Sequence, residues 1–546
     1  MSKRPAVGPA RLFAAAVVLL VCLAAFWWRL GSLGLIDPDE PFYAKSAREM
    51  LHAGDWVVPR IFDHPQFEKP PVVYWLLMAS ARALGPTELA GRLPAALFAT
   101  ALTFLTFAFG VRVLGFRAGF LAAIVLATGV EFLVTARMIL TDMIFATFLA
   151  GSVFALWFAG RDEANRARWF AVACAASGAA ALTKGPLGIL IPGFAIVALF
   201  LSGANPFPRR RGAILLGAGL FLAIAVPWYA VMIHRFGMEY VRSFFVHENV
   251  DRLFVAEHPS NNRVYYYGLV LLLGSIPWLP LLPALARRAW RGAREGGIAR
   301  YLGVWLVLSV AFFTLAASKL PTYVLFAFVP VALFAGLALD RMIEGVDGAG
   351  WEWPAALALA LAQAVTLFGA TRLPVVAPFA LPATVIAAFL LLAALLLALR
   401  RWRAWVGASA LAGLAIPVAC LGLGGPGVDA MVSVRPLAAA IERDDAPADT
   451  VLASPILARG VAYYTGRPVA VLTNRPSPFF TPHPLRIVLG TEGLAQYLTA
   501  HDGGVACAVS REWGRLARGL PDTTRWSATP SGEKLLVLAG AKDPAR

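Results

Sequence analysis

Long apolar runs separated by short polar loops fill the chain as far as Gly424. A helix that crosses a bilayer needs roughly 20 predominantly apolar residues, and about 13 runs approach that length. They lie near Leu12–Leu30, Leu89–Gly110, Ala118–Val134, Ile139–Ala159, Trp169–Leu182, Leu187–Leu201 and Ala213–Ile233. The series continues near Val264–Leu285, Tyr301–Ala317, Thr322–Leu339, Pro354–Ala370, Pro378–Leu399 and Ala404–Gly424. Breaker residues split two of the longer stretches. Thr183-Lys184-Gly185-Pro186 divides one and Ser318-Lys319-Leu320-Pro321 the other, so each predicts a hairpin.

Between the first two runs, Gly31–Glu88 follows other rules. Phe42, Tyr43, Ala47, Met50 and Leu51 recur at helical spacing opposite Lys45, Arg48 and Glu49, which predicts a helix lying in the interface plane. Pro71–Leu84 is apolar but too short to span, and predicts a second interfacial or re-entrant helix. After Gly424 the membrane pattern stops. Short β-like runs at Thr450–Ala453, Pro468–Leu472, Arg486–Leu489, Val505–Val509 and Lys534–Leu538 alternate with helical ones. They predict a small α/β domain of about 120 residues. The division is therefore residues 1–426, membrane domain, and 427–546, outer domain.

Positive charge orients the spans. Lys3, Arg4 and Arg11 precede the first run, which places its start on the cytoplasmic side. Every second loop is then basic: Arg112 with Arg117, Arg161 with Arg166 and Arg168, and Arg209-Arg210-Arg211. Arg287, Arg288, Arg291 and Arg294 follow, then Arg341, then Arg400, Arg401 and Arg403. Trp27, Trp28 and Arg29 close the first run where a cleaved signal would carry small residues, so the run is read as a retained helix. Parity sets the loop Gly31–Glu88, Lys184, Lys319, His234–Arg263 and the C-terminal domain on the outer side.

Composition agrees. Hydrophobic residues make up 59% of the 546, charged residues 15%, and the mean hydropathy is +0.69, too apolar for a water-soluble domain. The net charge of +16 sits in the short loops and reports topology rather than a nucleic-acid partner. Cys22, Cys174, Cys420 and Cys507 are scattered, without metal-ligand spacing or a disulfide framework.

Candidate chemistry gathers in the outer segments: Asp37-Pro38-Asp39-Glu40 after the first run, Phe67-Glu68-Lys69-Pro70-Pro71 before the next, and Asp142 at the head of a span. A carboxylate at a bilayer centre costs roughly 2.5–3.5 kcal/mol, less near a helix end, so Asp142 has a reason to be there. A helix N-terminus beside Thr141 would itself supply one. Likewise Asp39 and Glu40 suit a solvated helix end, Lys69 suits a snorkelling lysine, and Lys184 and Lys319 suit hairpin tips at the head groups. His64, His247, His258 and Glu68 would bind a divalent ion if the fold gathered them; Glu68 and His258 are the weak metal candidates, and a divalent metal is the one cofactor the pattern admits, without being required by it.

Taken in order, these strings resemble one family. Asp37-Pro38-Asp39-Glu40-Pro41-Phe42-Tyr43-Ala44, Gly54-Asp55-Trp56-Val57-Val58-Pro59-Arg60 and Phe67-Glu68-Lys69-Pro70 resemble the start of bacterial GT-C membrane glycosyltransferases. Within that superfamily of protein O-mannosyltransferases the likeness is greatest to the lipid A aminoarabinose transferases. Ala136-Arg137, Thr141-Asp142, Leu182-Thr183-Lys184-Gly185-Pro186 and Ser318-Lys319-Leu320-Pro321-Thr322-Tyr323 extend it over roughly the first 340 residues.

The resemblance implies a polytopic α-helical GT-C protein in the bacterial inner membrane, with an undecaprenyl-phosphate-linked sugar as donor. Transfer goes with inversion to a periplasm-facing acceptor, lipid A or a related glycolipid. Catalytic roles then fall to Asp39, Glu40, Lys69 and Asp142. Substrate contacts fall to Tyr43, Glu68, Arg137, Lys184, Arg252, Lys319 and Tyr323. Phe42-Tyr43 stands where many aminoarabinose transferases have Arg-Tyr, and Val246–Arg252 departs from their Glu-His arrangement, which leaves sugar and acceptor open. A protein hydroxyl is the alternative acceptor, and a lipid or polysaccharide transporter the alternative class. A transporter predicts inverted repeats that the chain does not display.

Overall fold

The computed structural model describes residues 8–287, 296–345, 352–443, 450–476, 485–500, 505–509, 526–531 and 534–539. Lys3, Arg4, Arg288, Arg291 and Arg294, which carry part of the charge pattern, lie outside them. Chain contacts divide the protein into two compact units. The first holds Met1–Trp28, Phe67–Val73 and Leu93–Ala419; the second holds Arg29–Gln66, Tyr74–Arg92 and Cys420–Arg546. The sequence boundary at 426/427 therefore separates stretches of chain, whereas the packed second unit also takes in most of the loop after the first span.

The first unit is helical and multi-pass. Among the described residues, nine helices are long and apolar enough to cross a membrane, from Pro9–Trp27 to Trp402–Gly422. Each of the expected runs is helical, but some are not simple rods. Phe116–Thr128 and Leu187–Leu201 are short, and Tyr266–Gly274 meets Leu279–Arg287 at a bend of 115°. Arg211–Tyr240 outlasts its expected end and passes into Val241–Asp251, a run of wide π-helical turns.

Buried aliphatics fill the centre, with Phe109 stacked on Phe154 at 3.9 Å and Trp278 donating to Thr128 Oγ1 at 3.0 Å. Large residues such as Leu215, Leu216 and Leu222 stay exposed, as a lipid-facing surface requires. The hairpin Thr141–Arg161/Arg166–Lys184 is pinned halfway by Ser152 Oγ donating to Ala173 O at 2.9 Å.

The second unit joins an acidic loop and its helices to an α/β sheet. A short ribbon, β1 (Arg60–Ile61) and β2 (His64–Pro65), follows the helix Asp39–Ala53. The large sheet comprises β3 (Val451–Ala453), β4 (Val469–Thr473), β5 (Ile487–Leu489), β6 (Val505–Val509), β7 (Trp526–Ser531) and β8 (Lys534–Ala539), in the order β5-β4-β3-β6-β8-β7. β3 to β6 pair in parallel, and β8 pairs antiparallel to β6 and β7.

Because strand side chains alternate, the sheet has two buried faces. Val451, Ala453, Val471 and Leu536 pack with Leu437, Ile441 and Val461 on one face. Leu452, Leu472, Cys507 and Val537 pack with Leu494 and Tyr497 on the other. Strands expected at five places are present; β7, with Pro530 and little alternation, adds a sixth. The helix Asp39–Ala53 forms, but the apolar residues expected to face the membrane interface, Phe42, Tyr43, Ala47 and Met50, are covered by protein instead. Arg459 lies over the Phe42 ring at 4.8 Å, and Arg48 over the Tyr463 ring at 4.3 Å.

Candidate active site

In the first unit, six sequence-predicted residues form one chain of contacts with two acids that the candidate set omitted. Lys69 Nζ donates to its neighbour's carbonyl, Glu68 O, at 3.0 Å and to Glu248 Oε2 at 2.9 Å. Glu248 Oε1 accepts from Arg252 Nη2 at 2.9 Å, and the same Nη2 lies 2.7 Å from Glu257 Oε1. Arg252 Nη1 donates to Tyr323 Oη at 3.2 Å. Lys184 Nζ sits 4.7 Å over the Tyr323 ring and donates to Asp142 Oδ1 at 2.6 Å. Lys69, Lys184 and Arg252 are thus matched by Asp142, Glu248 and Glu257, all at or below 22% side-chain exposure.

Local structure puts each group there. Asp142 lies in the first turn of Thr141–Arg161 and Lys184 in the last turn of Arg166–Lys184, so each charge complements the dipole of its own helix. Gly185 then stops the second helix at φ 83°, ψ −150°, a conformation that favours glycine, and a Cβ there would stand 2.9 Å from Phe244 Cζ. Lys69 is fixed through Phe67, whose ring lies 5.4 Å from Tyr240 in an edge-on contact and 5.0 Å from Phe236. Tyr240 stacks on Phe244 at 5.6 Å, so this aromatic set ties the Lys69 segment to the turns that carry Glu248.

Lys319 and Arg137 take holding positions. Lys319, 2% exposed, donates to Asn262 Oδ1 at 2.7 Å and to Ala316 O. Asn261 Nδ2 returns a bond to Lys319 O at 3.2 Å, which locks two loops together. Arg137 donates to Ala25 O at 3.0 Å and Trp28 O at 2.7 Å, at the end of the first membrane helix.

The remaining candidates belong to the second unit. Asp39 is exposed at the head of its helix. Glu40 is fully buried: its oxygens take Arg92 Nε at 2.9 Å and Nη2 at 2.5 Å, and the Ile36 amide at 2.7 Å. A bidentate, buried guanidinium pair of this kind holds a loop in one shape. Arg92 also donates to Leu33 O and Gly34 O, which fixes the turn that presents Asp39. Tyr43 is 7% exposed, its ring 6.0 Å from that of Tyr74.

Among the described residues no three His, Cys, Asp or Glu side chains are grouped to hold a metal ion, around Glu68 and His258 or elsewhere. The cysteines are unpaired. Glu248 was visible only as part of an outer stretch, and Glu257 carried no motif. Their signal is spacing from Arg252, four residues before and five after it.

Comparison with known proteins bears on the fold and on the sequence as a whole. The profile of the dolichyl-phosphate-mannose-protein mannosyltransferase family matches residues 68–230. An undecaprenyl phosphate-alpha-4-amino-4-deoxy-L-arabinose arabinosyl transferase 2 from Pseudomonas fluorescens (strain Pf0-1) is 34% identical over 335 residues, 60% of each chain. The corresponding transferase of Pseudomonas paraeruginosa (strain DSM 24068 / PA7) is 33% identical over 359 residues, 63% of each chain. The alignments thus span about three-fifths of those relatives, 60% and 63% of their lengths. The crystal structure of ArnT from Cupriavidus metallidurans bound to undecaprenyl phosphate shares the fold over 98% of both chains, with a TM-score of 0.75 at 23% identity.

Proposed function

We propose that the chain is a GT-C membrane glycosyltransferase that transfers a sugar from an undecaprenyl-phosphate-linked donor to an envelope acceptor. The reaction faces the periplasm across the bacterial inner membrane, with lipid A or a related glycolipid as acceptor. The observation that carries this reading is the convergence of Lys69, Arg252 and Lys184 on one buried polar cluster, linked through Glu248 and Tyr323. Such a cluster suits the anion that a prenyl-phosphate donor presents and leaves behind.

Chemically, an acceptor oxygen attacks the anomeric carbon from the face opposite the phosphate. The carbon–oxygen bond to phosphate breaks, its electron pair stays on the phosphate, and the anomeric centre inverts. Lys69 and Arg252 stabilise the negative charge that grows on the phosphate, which preorganised donors do best in a site shielded from water. Asp142, held by Lys184, orients the sugar. Asp39 positions the acceptor and takes its proton when the acceptor is a hydroxyl; a phosphate acceptor is already ionised and needs no base. Glu40, occupied by Arg92, acts through the shape of the loop that carries Asp39.

The test is transfer of labelled sugar from defined undecaprenyl-phosphate donors, by purified protein in lipid, to lipid A and to peptide hydroxyls. Lys69→Ala should lower turnover by about 10²–10³, the usual loss of a preorganised charge-stabilising donor. Asp39→Asn should fall comparably with a hydroxyl acceptor and much less with a phosphate one. Full activity in folded Lys69→Ala, or lipid movement without transfer, would defeat the reading.

A further inference from the structure

Glu248 stands where a bound anion is expected. Its two oxygens are divided between Lys69 and Arg252, each at 2.9 Å, and its side chain is 8% exposed. A carboxylate that engages two cations through separate oxygens offers the same pair of acceptors as a phosphate group. Arg252 also keeps a donor in reserve, because its buried Nε has no hydrogen-bond partner. We propose that Glu248 is a resident counter-anion of the lipid-phosphate site: it holds Lys69 and Arg252 together while the site is empty, yields them to the incoming phosphate, and reclaims them to release the product. This rests on reading the cluster as the phosphate site.

Electrostatics gives the reason. Two buried cations sharing one small site repel; Glu257, 2.7 Å from Arg252 Nη2, answers Arg252, and Glu248 is the carboxylate that bridges Arg252 to Lys69. Glu248 removes that repulsion at the cost of competing with the ligand. The competition is useful at the end of the cycle. A prenyl-phosphate sugar is a phosphodiester with one negative charge. Its product is a phosphomonoester whose second ionisation lies near pH 6, so it approaches two charges at neutral pH. Without Glu248 to return, Lys69 and Arg252 would therefore hold the product more tightly than the donor. A returning carboxylate replaces both contacts and lets it go. Glu248 sits in the π-helical turns Val241–Asp251, geometry that recurs at functional sites.

The experiment measures binding of undecaprenyl phosphate to the full-length protein in nanodiscs, for wild type, Glu248→Gln and Lys69→Ala. Glu248→Gln should bind it about tenfold more tightly, the scale of one charge-assisted hydrogen bond, and turnover should become limited by product. Equal or weaker binding in the folded Glu248→Gln protein would overturn the proposal and leave Glu248 a structural brace. Should that variant not fold, Glu248→Asp, whose shorter arm reaches one cation only, is read the same way. If wild type binds and Lys69→Ala does not, the phosphate site stands whatever Glu248 does. If wild type itself does not bind, the site falls and the counter-anion with it.

Discussion

Asp37 shows how one residue can spend stability on position. Its side chain is 5% exposed, and its carboxylate has little to offset that burial beyond the Val434 backbone amide and the charge of Lys534. Lys534, at the start of β8, comes within 3.8 Å, but its three N–H groups are spent on Ala430 O, Met431 O and Ser433 O. Gly460 makes the room, since a Cβ there would collide with Asp37 Oδ1. Burial pushes the Asp37 carboxyl up to about 8, against an attraction to Lys534 that pulls it down. The folded unit therefore keeps a proton that the unfolded chain releases near pH 4. Stability from this group is complete below about pH 4, falls as pH rises, and is gone above about pH 8. Asp37→Asn should flatten that dependence and make the protein more stable than wild type above pH 8, by about 1–3 kcal/mol. Thermal unfolding from pH 5 to 9 checks it, and parallel curves for the two proteins would contradict it. At this scale the sequence marks the acidic loop but does not sort its members. Asp37, Asp39 and Glu40 are neighbours in sequence, yet one is a buried acid beside Lys534, one is exposed and one is locked to Arg92. That sorting comes from partners far away in the chain, which no local pattern encodes.

At the scale of elements, helix ends do the positioning. Lys184 is aimed because its helix stops at Gly185, where the positive φ and the nearby Phe244 ring both exclude a side chain. Gly185→Ala should strain this end, shift Lys184 from Asp142 and lower transfer by about tenfold to a hundredfold, the cost expected when a positioned group moves by about 1 Å. Protein that unfolds at nearly the wild-type temperature yet loses turnover would carry the point; unchanged turnover would refute it. This helix end was legible, because Thr183-Lys184-Gly185-Pro186 is a plain breaker between two apolar runs. The spans were legible for the same reason, since apolar length is a strong signal. The 115° bend between Tyr266–Gly274 and Leu279–Arg287 and the π turns at Val241–Asp251 were not. Both depend on how helices meet their neighbours, and hydropathy is indifferent to that. Glu248 was hard to single out for this reason: a residue in wide turns falls out of step with the helical spacing used to assign faces.

At the scale of the molecule, the C-terminal α/β sheet belongs to the same packed unit as the loop that carries Asp39. The bonds within that unit are specific. Gly34 N donates to Asp429 Oδ1 at 2.6 Å, the Leu35 amide to Tyr464 Oη at 2.7 Å, and the Asp37 amide to Val432 O at 3.1 Å. Arg435 reaches Glu88 Oε1 at 3.1 Å and Asp429 Oδ2 at 2.8 Å. Composition alone draws a border near residue 426, because it registers where apolar runs end and not which segments fold against each other. The two views predict different results for a chain cut after residue 426. An appended domain could be removed with little effect on the loop. A shared unit could not, because the cut strips the acceptors from the Gly34, Leu35 and Asp37 amides and the partner from Glu88, each worth about 1–3 kcal/mol when a buried group is left unsatisfied. The truncated protein should keep its membrane helices but lose amide protection across residues 31–66, and transfer should disappear with it. Hydrogen exchange on the truncated and full-length proteins in nanodiscs decides between them. Unchanged protection over 31–66 would mean that the loop holds its shape alone and that the sheet has some other task.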